Sequence, residues 1–170
     1  FAVGTRALDL LTADVTAQLA GRRSFALYQR FEERGTIVIR DWARALSLES
    51  DGGSLRIWAP GSGAATYEAY VASGLYAKIP SSGTPALHQT VEHLAIVAED
   101  GSLTLVQSID GGPVAVASGS HGGYAPTGTV RLAWGSTVSG TNHGALAGRD
   151  LLVLDGADWT MDAVRRLLPW

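Results

Sequence analysis

The chain has 170 residues, 13 Lys+Arg against 16 Asp+Glu, a net charge of −3 and no cysteine. That length suffices for one domain with a full core. The missing cysteines exclude disulfides, thiol catalysis and zinc–thiolate sites, and the lack of any basic run argues against a nucleic-acid partner. No apolar run is long enough to cross a bilayer as a helix, so no membrane insertion is expected. The chain starts at Phe1 with no charged-then-apolar leader, which points to no signal peptide and to a processed or trimmed chain. The 21 glycines, set among short apolar runs, lean toward an all-β fold rich in turns.

In chain order, the stretch 9–21 reads as a short helix, with Thr12 as cap, Val15 and Leu19 at helical spacing and Gly21 as terminator. From Ser24 to Glu33 the pattern alternates: Phe25, Leu27 and Phe31 fall on one face, Ala26, Tyr28 and Arg30 on the other. A β-branched run follows at 35–42. Two strand patterns then flank Asp51-Gly52-Gly53, a strong hairpin signal. Residues 66–73 give another strand, and the Pro-, Gly- and Ser-rich stretch 78–89 a loop.

Beyond it, Leu94 and Ile96 alternate before the Glu99-Asp100-Gly101 turn, and Leu103 and Leu105 after it. Asp110-Gly111-Gly112 forms the next turn, followed by Val114 and Val116. Val130, Leu132 and Trp134 share a strand face, residues 135–148 read as loop, and 149–156 as a strand covered on both sides. A short helix closes the chain, with Thr160 as cap, Pro169 as stop, and Met161, Val164, Leu167 and Leu168 on one face. Phe25, Leu27, Leu94, Ile96, Val130 and Leu132 are expected to face inward together.

About a dozen short strands and one terminal helix predict a single domain over 1–170: an all-β, two-sheet antiparallel β-sandwich. The ordered pieces Ser24–Glu32, His93–Val97, Asp100-Gly101, Leu103–Gly111, Val130–Gly135, Gly148–Leu154 and Thr160–Leu168 resemble the laminin G-like, concanavalin A-like jelly-roll superfamily in its bacterial and phage-type members. The chain departs from that pattern at Glu92, where an aromatic is usual, and at Ser108-Ile109. The resemblance implies a scaffold role for His93. It also implies a non-catalytic carbohydrate- or surface-binding module, exposed outside the cell or on a virion or other particle. The partner is then a glycan or cell-surface polysaccharide. The alternative is a structural subunit of a phage-like particle, such as a spike, fibre or decoration protein, that contacts other subunits.

Glycan-cleaving members of that superfamily carry a Glu-x-Asp-x-x-Glu pattern on one strand, because nucleophile and acid must stand close together on one face. It is absent here. Glu32-Glu33 point to opposite strand faces and Glu99-Asp100 form a turn, so both pairs read as solvated charges and no enzyme is expected. No cofactor is expected. Asp150, Asp155, Asp158 and Asn142 offer oxygen ligands for calcium but are too dispersed to form a loop motif. For ligand binding the candidates are His121 and Tyr124 in one Gly-rich loop, and Asn142 and His143 in another: flat polar rings and an amide suit sugar hydroxyls. Of the two, the loop 141–144 is preferred.

Overall fold

The computed structural model describes residues 2–3, 11–35, 43–59, 67–71, 76–78, 83–136, 139 and 145–168. Two antiparallel six-stranded sheets face each other. The first runs β1 (Ala2–Val3), β12 (Leu146–Asp155), β3 (Phe25–Glu33), β8 (Thr90–Val97), β9 (Ser102–Ile109), β10 (Ala115–Ser120). The second runs β2 (Leu11–Asp14), β11 (Arg131–Trp134), β4 (Ala43–Ser50), β5 (Gly53–Ala59), β6 (Glu68–Val71), β7 (Tyr76–Lys78). Two short helices, α1 (Thr16–Leu19) and α2 (Met161–Arg165), complete the fold. The two-sheet antiparallel sandwich expected from the sequence is the fold observed.

The alternation along β3 is used on both sides. Phe25, Leu27 and Phe31 enter the core between the sheets with Val91, Ala95 and Val97 of β8, Leu103 and Leu105 of β9, and Leu48, Leu55 and Ile57 from the second sheet. Ala26 and Tyr28 face outward into a second apolar cluster with Leu94, Val106, Leu154 and, from the terminal helix and the turn after it, Met161, Val164 and Leu168. This corrects the expectation that Leu94 and Ile96 share the inner face with Phe25 and Leu27. The register pairs Leu94 with Tyr28 and Ile96 with Ala26, so both side chains leave the sheet on the helix side. Helix α2 is a lid of one turn and a half over the outer face. Thr160 caps it by accepting from the Ala163 amide at 3.2 Å. Leu167, expected on its apolar face, is instead 56% exposed.

At the other end of the chain, the helix read over 9–21 shrinks to one turn. Leu11–Asp14 pairs with Trp134–Arg131 as an edge strand. Helix α1 starts only at Thr16, whose amide donates to Asp14 Oδ1 at 2.9 Å. Ladder hydrogen bonds to β11 offer residues 11–14 more than a helix of that length would, because short helices are marginal without packing. The run at 35–42 has its strand-like residues 36–42 outside the described residues. Strand β7 was not foreseen. The hairpin turns fall where the Asp-Gly pairs predict them. Asp110 and Gly111 have φ of 50° and 70°, the backbone a type I′ turn requires, and the Gly112 amide closes it on the Ile109 carbonyl at 2.9 Å.

Candidate functional site

Adjacent strands β3, β8 and β9 place Gln29, His93 and Gln107 in one row across the inner face of the first sheet. His93 is 0% exposed. Gln29 Nε2 donates to His93 Nδ1 at 2.9 Å, which leaves the Nε2–H of His93 to donate to Gln107 Oε1, also at 2.9 Å. The row continues at both ends. From the opposite sheet, Trp134 Nε1 donates to Gln29 Oε1 at 2.9 Å, and the Gln107 amide nitrogen donates to the Gly83 carbonyl. Every polar atom of the imidazole is thereby used. Burial holds the ring neutral, pushing its pKa down to about 4, only partly opposed by the Gln107 bond. The role expected for His93, a scaffold histidine bonded within the strand pair, agrees with this geometry.

Beside the row lies a group that the sequence did not single out. Glu33, expected to be a solvated charge, is fully buried at the end of β3. It accepts from the Tyr67 hydroxyl at 2.5 Å and from the Gly35 amide at 2.7 Å. The Tyr67 ring packs edge-on against His93, with centroids 4.7 Å apart. Its sequence neighbour Glu32 points the other way, to Arg34 and His88. The parity reading of Glu32-Glu33 was right; the solvation of Glu33 was not, because the inner face there is closed over by Tyr67.

The Gln107 end of the row forms the wall of a groove of about 360 Å³, whose other walls are Gly83, Ile109, Pro113, Val114 and Ala115. Across the 109–112 turn lies a second groove of about 420 Å³, lined by Arg30, Thr90, Glu92, Asp110, Gly111 and Arg165. Its charges are held in pairs. Arg165 grips the buried Glu92 carboxylate and the Ser108 hydroxyl, Tyr28 donates to Glu92 at 2.8 Å, and Arg30 meets Asp150 at 2.5 Å. Burial would raise the Glu92 pKa, but the bonds from Arg165 and Tyr28 win and hold it below the ordinary value. The turn between the grooves is anchored by Asp110, which accepts from the Thr90 amide at 2.8 Å and from Gln89 Nε2 at 2.9 Å. Asp110 and nearby His88 are the non-glycine residues with positive φ among those described. Such backbone settings concentrate at functional sites.

The residues expected to bind ligand lie elsewhere. His121 and Tyr124 share a different groove, of about 370 Å³, with Gly52, Val71, Gly122, Gly123, Ala125 and Thr127. His121 is 2% exposed and joins the Ala98 carbonyl through Nε2 at 2.7 Å; Tyr124 is 6% exposed and belongs to the main core. Both thus bind the Gly-rich loop to the sandwich. Asn142 and His143 lie outside the described residues, with the whole 141–144 loop. Of the carboxylates considered for calcium, Asp150 pairs with Arg30 and Asp155 with Arg22. Among the described residues no three His, Asp or Glu side chains converge.

No family model matches the chain, and no curated protein does. Several solved structures are similar to it. A heptameric SAP-like pentraxin from Limulus polyphemus is 15% identical, covering 95% of this chain and 82% of its own, with a TM-score of 0.55. Scytalido-glutamic peptidase bound to a transition-state analog is 14% identical, covering 85% and 82%, at 0.48. An alginate lyase from Klebsiella pneumoniae is 13% identical, covering 80% and 61%, at 0.45. The pentraxin likeness shows the fold alone, a jelly-roll-like sandwich. The expectation that the chain is not an enzyme is not upheld: a peptidase and alginate lyases are among the solved structures it is similar to. At these identities they assign no activity to it.

Proposed function

We propose that the protein binds carbohydrate in the groove between Gly83 and the β9–β10 connection. One observation carries this reading: a polar floor, Gln107 with the Gly83 carbonyl, set in an apolar wall of Ile109, Pro113, Val114 and Ala115. Sugar rings present apolar C–H faces edged by hydroxyls, and a site for them needs a few polar groups at fixed positions in an apolar surface. The row behind Gln107 supplies the fixing. With Oε1 held by His93, the amide cannot flip, so its donor side always faces Gly83 and the groove. A cell-surface polysaccharide met outside the cytoplasm fits this reading.

The test is a glycan array followed by calorimetry on the best hit, with the wild type and Val114→Asp. Val114 is 48% exposed, so the variant should fold as the wild type does. The expected result is wild-type binding that the variant loses, at unchanged melting temperature. A blank array for the wild type, or undiminished binding by the variant, would overturn the proposal.

A further inference from the structure

The outer face of the second sheet carries a polar cluster that the core does not use. Leu55, Ile57 and Ala59 of β5 enter the core, so Arg56 and Trp58 point away from it. On β4, Leu46 and Leu48 point inward and Ser47 outward. By simple alternation Arg44 would follow Leu46 into the core. A register shift at Ala45 instead brings Arg44 opposite Trp58, on the outer face. Bulges re-aim single side chains in this way, often beside functional sites. In the next row Ser47 stands opposite Arg56, and Arg56 opposite Tyr70 of β6. The Arg44 guanidinium lies 4.3 Å from the centroid of the Trp58 ring, and the Trp58 and Tyr70 rings are 5.2 Å apart.

Two cations therefore share one patch. Burial, and after it the like charge of Arg56, pulls the pKa of Arg44 down to about 10; Glu49, the next outward residue of β4 after Ser47, opposes this more weakly. Arg56 is in no ion pair among the described residues, and its buried Nε has no hydrogen-bond partner there. The same is true of the Oγ of Ser47, which is 0% exposed. Buried polar groups are nearly always paired, so two orphaned ones on register partners point to a partner from outside the chain.

We infer that Arg44, Ser47 and Arg56 form a binding site for an oxyanion, a carboxylate, sulfate or phosphate group, with Trp58 and Tyr70 as its wall. Such a group supplies what this patch lacks: negative charge beside two cations, and acceptor oxygens for guanidinium N–H and serine O–H. Guanidinium forks match these oxygens in geometry, and the bonds between them are among the stronger hydrogen bonds. The indole holds Arg44 by its flat face, which leaves the N–H edges for the ligand. Arg56 and Tyr70 are partly exposed, so the anion enters from the β6 side. Trp58 stands between Arg44 and Glu68, the outward carboxylate of β6, in the register of the three strands. The site is on the sheet opposite the glycan groove and does not rest on that reading.

Thermal shift at constant ionic strength, titrating sodium acetate, sulfate or phosphate against sodium chloride, tests this. At least one of the three should raise the wild-type melting temperature saturably, and the tightest names the group the natural ligand carries. Arg56→Gln should lose that saturable rise. Stabilisation by salt exclusion is common to both proteins, so their difference reports the site. Arg22→Gln, at an arginine 53% exposed on another surface, should keep it. Ser47→Ala removes one hydroxyl and should weaken binding by roughly ten-fold; it decides the matter should Arg56→Gln fail to fold. A wild type that none of the three anions stabilises beyond chloride, an Arg56→Gln or Ser47→Ala variant that binds as the wild type does, or an Arg22→Gln variant that loses the effect would each overturn the inference.

Discussion

Replacing His93 by leucine should destabilise the protein by about 2–6 kcal/mol. The substitution removes the acceptor of Gln29 Nε2 and the donor to Gln107 Oε1. Neither amide can turn to water, since Gln29 and Gln107 are both buried. Each orphaned group costs about 1–3 kcal/mol, and two of them give the range above. In a chain of this size each kcal/mol moves the melting temperature by about 2–4 °C, so a fall of roughly 4–24 °C is expected. His93→Gln is the control. Its amide also offers one donor and one acceptor, and should cost about 1 kcal/mol where it reaches both neighbours.

The same pair of variants carries a pH signature. The folded-state pKa of His93 is depressed from 6.5 to about 4, so between these values the unfolded chain takes up a proton that the folded protein refuses. The stabilisation from the neutral ring is complete above 6.5 and is lost as the pH falls toward 4; the interval corresponds to about 3 kcal/mol. His93→Gln has no such group, and its stability should fall less steeply over that window. Urea unfolding at intervals across it reads both effects. A leucine variant that melts within a degree or so of the wild type, or a glutamine variant with the wild-type pH slope, would refute the reasoning.

Arg165→Met leaves the buried Glu92 carboxylate to the Tyr28 hydroxyl and should cost about 2–4 kcal/mol near neutral pH. Because the folded pKa of Glu92 lies below 4.5, this contribution is present above 4.5 and fades as the pH falls through the folded value, so wild type and variant should converge in acid unfolding curves. Gly128→Ala should destabilise by about 1–3 kcal/mol, since a Cβ there would stand 1.8 Å from Asp51 Oδ2 at a φ of +64°. Gly21→Ala, with a φ of +78° but open space, should cost less than Gly128→Ala in the same thermal-shift assay.

Much of the sandwich was legible because a strand with one buried face advertises itself. The Asp-Gly turns at 51–53, 100–101 and 110–112 fix where strands end, and the alternation along β3, β9 and β11 shows which residues point the same way. Which of the two faces is the inner one was not legible for β8. A strand buried on both sides has no polar face to mark the outside, and the helix that covers Leu94 lies some seventy residues further along the chain. The N-terminal segment misled for the opposite reason. Its helical spacing was real, but the partner that makes 11–14 a strand is β11, whose pull no local pattern records.

The polar interior did leave a mark in the sequence, though not as a motif. In β3 the inward positions read Phe25, Leu27, Gln29, Phe31, Glu33; in β8, Val91, His93, Ala95, Val97; in β9, Leu103, Leu105, Gln107, Ile109. Each strand thus places polar side chains where its own alternation calls for apolar ones. Locally each is one misfit in a strand, and His93 alone reads as scaffold. Only the register, joining residues 64 and 14 positions apart, turns three misfits into one row. An all-apolar row would fill the same space without needing four mutually dependent hydrogen bonds, and partly satisfied buried networks are worse than none. On the proposed reading, polar residues at core parity on three adjacent strands, ending at one groove, are the trace that a binding site leaves in a β-sheet when no loop motif announces it. His121 and Tyr124, conspicuous in their glycine-rich loop, hold that loop to the sandwich. Gln107, inconspicuous between two apolar neighbours of the same parity, reaches the groove.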